Sequence, residues 1–282
     1  MPMKVMVTGV NGQLGHDVMI HLHRQGIEGI GVDIQDFDLT DEDAVMSYVK
    51  KVQPSAIIHC AAYTAVDKAE SDIARCCMIN GEGTKNLVRA AVSVKAKMMY
   101  ISTDYVFPGE GVEPYETMDP KGPKNIYGQS KLQGEMAVSS QMTAYFIVRT
   151  SWVYGVNGNN FVKTMLRLGK ERDSINVVCD QIGSPTYSYD LARCLVDLIQ
   201  TTRYGVYHAT NEGFCSWAEF AQAIMDKAGL NCKVHPVLTI QYKTAAARPL
   251  NSRMSKDSLD RAGIARLPQW EDALERYLME LR

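Results

Sequence analysis

Residues 9–15 read Gly9-Val10-Asn11-Gly12-Gln13-Leu14-Gly15, and this stretch decides the fold. It directly follows the β-rich run 4–8 and directly precedes a segment whose apolar residues have helical spacing. Glycines in a turn between a strand and a helix allow the backbone to approach a pyrophosphate at the helix N-terminus. The spacing is G-x-x-G-x-x-G rather than G-x-G-x-x-G, so these glycines alone could also serve only to make a sharp turn.

Strands and helices alternate through the first half of the chain. We predict further strands at residues 29–33, 56–60, 97–102 and 143–149, and helices at 41–52, 80–94 and 127–139. Nearly continuous apolar strands that alternate with helices are typical of a parallel sheet covered on both faces. We therefore predict an α/β fold with a Rossmann-type, doubly wound parallel sheet in residues 1–150, to which residues 182–209 also contribute.

The alternation becomes irregular beyond Arg149. An Asn/Gly loop at 157–160 and the run Gly-Ser-Pro-Thr at 183–186 interrupt it, and helices are predicted at 161–171, 190–200, 217–228 and 269–281. We predict that residues 151–282 form most of a smaller, mixed C-terminal lobe that binds the substrate. Because no repeat or low-complexity linker is present, we expect the two lobes to share an interface.

Composition excludes several classes of protein. The chain has 282 residues, 46% of them hydrophobic and 22% charged, with a formal net charge of -2. These values are those of an ordinary globular protein and provide no basic field for a nucleic acid. The longest apolar runs have the length of strands, so we expect no membrane span and a soluble cytoplasmic protein. The seven cysteines contain no C-x-x-C pair, and we interpret them as reduced.

Asp33 ends the second predicted strand, where a carboxylate can accept hydrogen bonds from both hydroxyls of an adenosine ribose. It would repel a 2′-phosphate, and the glycine loop contains no Arg or Lys to offset that repulsion. We therefore predict NADH as the cofactor, with NADPH as the alternative; a solvated aspartate at the strand end is the other interpretation. The predicted cofactor-binding residues are Gly9, Asn11, Gly12, Gln13, Leu14, Gly15, Asp33, Asp38, Leu39, Ala61, Ala62, Tyr63, Ser102, Tyr127 and Lys131.

Tyr127 and Lys131 lie four residues apart at the start of a predicted helix, and hence on one face of it. Reduction of a carbonyl needs a proton for the nascent alkoxide, and a phenol is a slow donor until a neighbouring ammonium lowers its pKa. We expect Lys131 to provide that charge and to hold the nicotinamide ribose. Such pairs are common by chance, so this pattern gains weight only beside the glycine loop.

The run Tyr100 to Tyr105 ends an apolar strand in hydroxyls and a carboxylate. Ligands bind at the carboxyl ends of strands in open α/β sheets. A hydroxyl of Ser102 or Thr103 could donate a hydrogen bond to the substrate carbonyl as that carbonyl gains negative charge. A simple cap of the strand end is the alternative.

The chain resembles the dTDP-4-dehydrorhamnose reductase (RmlD) family of extended short-chain dehydrogenases over nearly its whole length. The segments that carry the resemblance are TGVNGQLG (8–15), AAYTAVDKAES (61–71), STDYVFPG (102–109), IYGQSKLQGE (126–135), VRTSWVYG (148–155), GNNFVKTMLRL (158–168) and ARPLNSRMS (247–255). The resemblance implies NAD(P)H-dependent reduction of the 4-keto group of dTDP-4-dehydro-L-rhamnose to dTDP-L-rhamnose. It also implies that Thr103, Tyr127 and Lys131 are catalytic, with Tyr127 as the proton donor.

The resemblance further implies that Thr103, Asp104 and Trp152 line the sugar site, and we predict Tyr127 and Arg248 as additional substrate-binding residues. Trp152 offers a flat apolar face for a pyranose ring, and Arg248 could pair with the nucleotide diphosphate. A core tryptophan and a surface arginine are the alternative interpretations. Asn80 matches the position of a helix-interrupting Asn that relays to the catalytic lysine in related dehydrogenases.

Three other functions are known for proteins of this fold. Related dehydratases carry Thr-Asp-Glu at the strand end, and Tyr105 stands here in the third position, which disfavours elimination. A nucleotide-sugar epimerase would use the same Tyr and Lys while retaining its cofactor. A non-catalytic regulatory subunit of the same fold is the third alternative, although the intact catalytic set speaks against it.

Some members of the family are dimers bridged by magnesium through glutamates. Asp17 and Tyr189 stand where we would place two of those ligands, so the carboxylate set is incomplete. We therefore predict no metal and a monomer or weak homodimer.

Overall fold

The computed structural model describes residues 3–281 of the chain. Its strands are β1 (Lys4–Thr8), β2 (Glu28–Val32), β3 (Ala56–His59), β4 (Lys97–Thr103), β5 (Tyr145–Thr150), β6 (Val153–Tyr154), β7 (Ser174–Val178), β8 (Ile182–Gly183), β9 (Thr186–Tyr187), β10 (Gly205–His208), β11 (Cys215–Ser216) and β12 (Lys233–Val237).

The α-helices are α1 (Gln13–Arg24), α2 (Glu42–Val52), α3 (Val66–Ala69), α4 (Ile73–Cys77), α5 (Thr84–Ser93), α6 (Ile126–Gln141), α7 (Phe161–Glu171), α8 (Ser188–Ile199), α9 (Trp217–Ala228), α10 (Asp257–Arg261) and α11 (Trp270–Glu280). A π-helix covers Met78–Gly83, and 3₁₀ turns cover Asp104–Val106 and Thr239–Gln241.

Six parallel strands form the main sheet in the order β2-β1-β3-β4-β5-β10. The chain runs outward from β1 to β2 and then returns to the other side of β1 at β3. The carboxyl ends of β1 and β3 therefore lie on either side of the point where the strand order reverses, the usual ligand site in such sheets. The predicted α/β fold with a parallel sheet is confirmed.

The strands of the main sheet are buried on both faces. Val5 and Val7 of β1 pack in one hydrophobic cluster with α1 and α8, whereas Met6 packs in another with α2 and α5. Successive side chains of a strand point to opposite faces, so a strand covered on both sides must be apolar throughout. This explains why the runs at 4–8 and 56–60 show no polar alternation.

We propose that most residues beyond Thr150 build a second lobe from short strand pairs and three longer helices. The pairs are β6 with β9, β7 with β12, and β8 with β11. Their apolar side chains form a separate cluster with α7, α9 and α11. No helix among residues 3–281 combines the length and the apolarity needed to cross a membrane.

The chain passes between the lobes more than once. After β9 it returns to the main sheet, where α8 packs against α1 and β10 pairs with β5. β8 and β9 themselves pair with strands of the second lobe, so the returning segment begins at Ser188 rather than at residue 182. We propose residues 3–150 and 188–209 as the body of the first lobe and most of the remainder as the second.

Candidate active site

The glycine turn joins β1 to α1 in a very compact conformation. Gly9 has a φ of +72°, and a Cβ atom there would lie 2.8 Å from the backbone of Ala61. A Cβ atom on Gly15 would lie 2.3 Å from the Gly9 carbonyl oxygen. Gly12 precedes the first residue of α1 and makes no side-chain cap, which leaves the helix N-terminus open for an anion. The turn therefore has the shape and polarity of a pyrophosphate cradle.

Two adjoining cavities lie on either side of this turn. The first, of about 500 Å³, is bounded by β1, β2, the segment after β2 and the π-helix, and is called here the adenosine cavity. The second, of about 670 Å³, extends from the glycine turn to the carboxyl end of β4 and to α6, and is called the reaction cavity. Both are lined by Gly9, Asp33, Ala61 and Ala62, so an elongated ligand can occupy the two together. This arrangement fits a nicotinamide dinucleotide.

Asp33 lies between the two cavities, but its carboxylate already has backbone partners. One oxygen accepts a hydrogen bond from the Asn11 N–H at 2.9 Å, and the other accepts from the Ile34 N–H at 2.8 Å. Asp33 therefore supports the glycine turn in addition to facing the ribose position. Arg75 of α4, a cationic residue of the kind that the glycine loop lacks, also lines the adenosine cavity.

Helix α6 brings Tyr127 and Lys131 into the reaction cavity. The Asn125 side chain caps the helix by accepting a hydrogen bond from the Gly128 N–H at 2.8 Å, which fixes the first turn. Lys131 is only 3% exposed, and its Nζ lies 4.1 Å from the centroid of the Tyr100 ring. Burial lowers the pKa of Lys131 to about 7, and the Glu135 carboxylate opposes that shift. The lysine is thus poised to change charge near neutral pH.

The pKa of Tyr127 differs from the expectation. Burial raises the pKa of Tyr127 well above its usual value, the Asp104 carboxylate adds to the rise, and a hydrogen bond with Thr103 opposes it. The spacing of Tyr127 and Lys131 predicts instead that the ammonium of Lys131 lowers the pKa of the phenol. In the folded chain the loss of water around the phenol dominates the shift, and Lys131 is not among the groups that lower the pKa of Tyr127.

Thr103 and Asp104 lie at the carboxyl end of β4, in the wall of the reaction cavity. The Thr103 hydroxyl donates to Asp104 Oδ1 at 3.0 Å, and the hydroxyl of Ser252, from the second lobe, donates to Asp104 Oδ2. Burial raises the pKa of Asp104 to about 6. The Ser102 hydroxyl is directed elsewhere, because it donates to Glu135 at 2.6 Å, so Ser102 contributes to the cavity without offering this donor to a substrate.

Trp152 forms the opposite wall together with a residue that the sequence did not single out, Trp217. The two rings stack with centroids 3.7 Å apart and planes 15° apart, and both line the reaction cavity. Trp152 has a φ of +52°, a left-handed conformation that is strained for a bulky side chain. The sequence offers a capping box at Ser216 and Glu219 that predicts the start of α9, but nothing that brings Trp217 to this wall.

Two predicted binding residues lie outside both cavities. Arg248 forms a two-point ion pair with Asp67 of α3, with N–O distances of 2.9 and 2.7 Å, instead of presenting a free guanidinium. Tyr63 donates its backbone N–H to Asn80 Oδ1 at 2.8 Å and its hydroxyl to Asp72 at 3.3 Å. The other predicted cofactor and substrate residues line one cavity or both.

Asn80 interrupts the helix as the resemblance implied. It lies in the π-helix Met78–Gly83, a type of segment that often occurs at functional sites. Its Nδ2 donates to the Ser130 hydroxyl at 2.9 Å, which connects it to the helix of Tyr127 and Lys131. Within residues 3–281, no group of three or more His, Cys, Asp or Glu side chains could hold a metal ion.

The chain was compared with known proteins. A model of the family described as RmlD substrate binding domain matches residues 3–282. The spore coat polysaccharide biosynthesis protein SpsK of Bacillus subtilis is 41% identical over 98% of this chain and 97% of its own length. A dTDP-4-dehydrorhamnose reductase of Sinorhizobium fredii is 39% identical over 99% of this chain and 98% of its own length.

Among solved structures, the chain is similar to dTDP-4-dehydrorhamnose reductase from Bacillus anthracis in complex with NADP. The TM-score is 0.96 at 46% sequence identity, and the match covers 99% of this chain and 100% of the other. Sequence and structure therefore agree on one family across the whole length of the chain.

Proposed function

The chain belongs to the RmlD family, and from that membership we propose that it reduces the 4-keto group of dTDP-4-dehydro-L-rhamnose to give dTDP-L-rhamnose. It is an oxidoreductase that uses a nicotinamide cofactor. One observation carries the proposal: Thr103, Tyr127 and Lys131 line a single cavity that adjoins the glycine turn. A hydroxyl, a phenol and an ammonium are the groups that reduction of a carbonyl requires.

We assign a role to each of these three side chains. When bound, the reduced nicotinamide supplies the hydride. The Thr103 hydroxyl, which donates to Asp104 in the absence of substrate, exchanges that acceptor for the carbonyl oxygen and donates a hydrogen bond to it as it becomes negative. Tyr127 donates the proton that completes the alcohol, and the ammonium of Lys131 stabilises the resulting phenolate. Because burial disfavours the phenolate, Lys131 must be protonated for this step to be fast.

The sugar is proposed to pack against the stacked pair of Trp152 and Trp217. The flat face of an aromatic ring suits the apolar face of a pyranose, and the stack holds Trp152 rigidly in place. We propose that Arg248 binds the diphosphate. To do so, its guanidinium must leave the ion pair with Asp67 and pair with the ligand instead. Asp67 would then act as the partner of Arg248 in the absence of the sugar nucleotide.

For the cofactor, we propose that NADPH is accepted alongside the NADH predicted from the sequence. Two features support this: the Asp33 carboxylate is partly neutralised by two backbone N–H groups, and Arg75 adds a positive charge to the adenosine cavity. The similar Bacillus anthracis enzyme was solved with NADP. Arg75→Ala should lower kcat/KM for NADPH by about ten-fold and leave that for NADH unchanged. Equal losses with both cofactors would contradict this role.

The decisive experiment is turnover of the purified protein. We expect dTDP-4-dehydro-L-rhamnose to cause oxidation of NADPH, with one NADPH consumed for each dTDP-L-rhamnose formed. An epimerase would need only catalytic amounts of cofactor, so product without matching NADPH loss would favour that alternative. Binding of NADPH without turnover of any nucleotide-linked keto sugar would favour the regulatory subunit.

A further inference from the structure

A buried ion pair lies directly behind the catalytic residues. Arg149 of β5 donates from Nε to Glu135 Oε1 and from Nη2 to Glu135 Oε2, both at 2.7 Å. The two side chains are 2% and 6% exposed. The planar fork of the guanidinium therefore matches the carboxylate at both points, out of contact with water.

Further hydrogen bonds hold the guanidinium of Arg149 in place. Arg149 Nη1 donates to the Thr117 carbonyl at 2.9 Å and lies 3.4 Å from His208 Nε2. The other nitrogen of His208 lies 3.1 Å from the Ser255 carbonyl, so Nδ1 carries the proton and Nε2 accepts from Arg149. Burial lowers the pKa of His208 to about 3, which keeps this ring neutral. Arg149 is thus fixed by groups from three parts of the chain.

The pair connects the two elements that carry the reacting groups. Glu135 lies one helical turn after Lys131 on α6, and hence on the same face of that helix. It also accepts a hydrogen bond at 2.6 Å from the hydroxyl of Ser102, the residue immediately before Thr103 on β4. A displacement of the Glu135 carboxylate would therefore change the position of both the strand end and the helix.

Glu135 is also the carboxylate that acts on the charge of Lys131. The titratable groups that face Lys131 are His59 of β3, Cys60 directly after β3, Cys76 of α4, Tyr100 of β4, and Tyr127 and Glu135 of its own helix. Burial lowers the pKa of the histidine to about 3 and raises those of the cysteines and tyrosines, so these groups are neutral near pH 7. Among the described residues that face the ammonium, the Glu135 carboxylate is the one negative charge.

Stability alone does not explain such a pair. Removing two charges from water costs free energy that their attraction often fails to recover, and apolar replacements of both partners are commonly neutral or stabilising. The location of the pair, between the catalytic strand end and the catalytic helix, is better explained by a role in the reaction.

We propose that Glu135 and Arg149 are positioning residues for the reduction: together they hold the Thr103 strand end against the helix of Tyr127, and the Glu135 carboxylate, one helical turn from Lys131, favours the ammonium form of that lysine. Arg149 fixes the Glu135 carboxylate in the orientation that serves both purposes. This proposal rests on the proposed function, because it assigns the pair to the reaction of that site.

The test compares two changes at the pair with one at a matched pair elsewhere. Glu135→Gln combined with Arg149→Met removes both charges, so neither partner is left buried and unpaired. Arg149→Lys retains the charge and removes the two-point fork. The control combines Asp190→Asn with Arg276→Met, which breaks a two-point pair between α8 and α11 with N–O distances of 2.9 and 2.7 Å, away from both cavities.

Two quantities are measured as functions of pH: kcat for the keto sugar, and the dissociation constant of NADPH from tryptophan fluorescence without sugar. Circular dichroism and thermal melts report folding. For the Gln/Met double variant we expect a folded protein with kcat reduced about ten- to hundred-fold. The alkaline loss of NADPH affinity should move to lower pH by about one unit, because Lys131 loses its anionic neighbour.

Arg149→Lys should reduce kcat while leaving the alkaline limb in place, because Glu135 remains. The control pair should change the melting temperature alone. A folded double variant with wild-type kcat and an unshifted limb would overturn the proposal and leave the pair a structural feature.

If the double variant does not fold, Arg149→Lys decides: unchanged kcat would overturn the proposal, and reduced kcat would support it. A wild-type protein that fails to oxidise NADPH with the sugar would contradict the proposed function instead. The effect of Glu135 on Lys131 is tested by the pH dependence of NADPH affinity in the double variant or, if that variant does not fold, in Glu135→Gln alone; an unshifted alkaline limb would overturn this part of the proposal.

Discussion

The two sides of the reaction cavity are built in different ways. The first-lobe side consists of regular elements, with Thr103 at a strand end and Tyr127 and Lys131 one turn apart on a helix. The second-lobe side depends on irregular backbone and on contacts between distant segments: Trp152 has a positive φ, and Ser252 meets Asp104.

This difference separates what local sequence can specify from what it cannot. A strand end and a helical spacing of four fix the relative positions of side chains within a few residues. The stack of Trp152 on Trp217 joins residues 65 positions apart, so its geometry depends on the packing of the whole second lobe. We therefore expect chemistry to be lost by changes on the first-lobe side, and substrate affinity by changes on the other.

The largest effect is expected for Tyr127→Phe. Loss of the phenol hydroxyl removes the proposed proton donor, and kcat should fall by about 10²- to 10⁴-fold. NADPH affinity should change little, since the ring is retained. Steady-state turnover measures kcat, and fluorescence titration measures the affinity for NADPH. Tyr105→Phe is the matched control, because its ring also lines the cavity, 5.6 Å from that of Tyr127. Similar losses in both variants would remove the special role of Tyr127.

Arg248→Ala tests whether the second-lobe side controls affinity. If Arg248 binds the diphosphate, KM for the nucleotide sugar should rise about ten- to hundred-fold while KM for NADPH stays constant. Arg266→Ala is the control, because Arg266 also pairs with a carboxylate, that of Asp260 at 2.9 Å. An unchanged KM for the sugar with a lower melting temperature would make Arg248 only a link between Asp67 and the second lobe.

Asp104 lies where the two sides meet, and its titration is expected to affect stability. An unfolded aspartate loses its proton near pH 3.9, whereas burial raises the pKa of Asp104 to about 6 in the folded chain. Between these values the folded state holds the extra proton, so this group makes the free energy of unfolding fall as pH rises. The slope should be about 1.4 kcal/mol per pH unit.

Asp104→Asn should abolish that component, which urea unfolding between pH 4 and 7 can measure. Asp43→Asn changes an exposed carboxylate and serves as the control. If the difference in stability between wild type and Asp104→Asn stays constant across this range, the proposed titration does not occur.

The smallest effect concerns the backbone of Trp152. A φ of +52° strains alanine but not glycine. Trp152→Gly should therefore be more stable than Trp152→Ala by about 1 kcal/mol. Trp217, the first residue of α9, should show the usual order, with alanine the more stable. Urea unfolding of the four variants measures both differences. If alanine is the more stable residue at both positions, the conformation of Trp152 is not strained.

Much of the first lobe could be predicted from the sequence because its signals are local. The glycine turn, the buried strands and the helix of Tyr127 and Lys131 each follow from patterns within about ten residues. Helix boundaries were close: α9 matches at both ends, and α6 begins at Ile126 instead of Tyr127. The roles predicted for the site residues stay proposals until the variants are measured.

Features that depend on distant contacts were missed or wrong. The apolar spacing predicts a continuous helix over 80–94, but the π-helix Met78–Gly83 occupies its start. The resemblance at Asn80 indicated this interruption and the spacing did not, because Asn80 bonds to Ser130, fifty positions away. Arg75 lies at the adenosine cavity because the fold packs α4 beside residues that are distant in sequence. Burial of Tyr127, which determines its pKa, is likewise a property of the assembled cavity. A sequence pattern contains none of these distances.

The return of the chain to the main sheet has a consequence for synthesis on the ribosome. β10 completes the sheet beside β5, α8 covers α1, and Leu259 and Leu267 enter the same hydrophobic cluster. A nascent chain that ends at residue 150 therefore has an unpaired sheet edge and an exposed apolar helix face. The dinucleotide lobe cannot reach its final packing until more than nine-tenths of the chain has been translated, so fragments of the first lobe alone should aggregate.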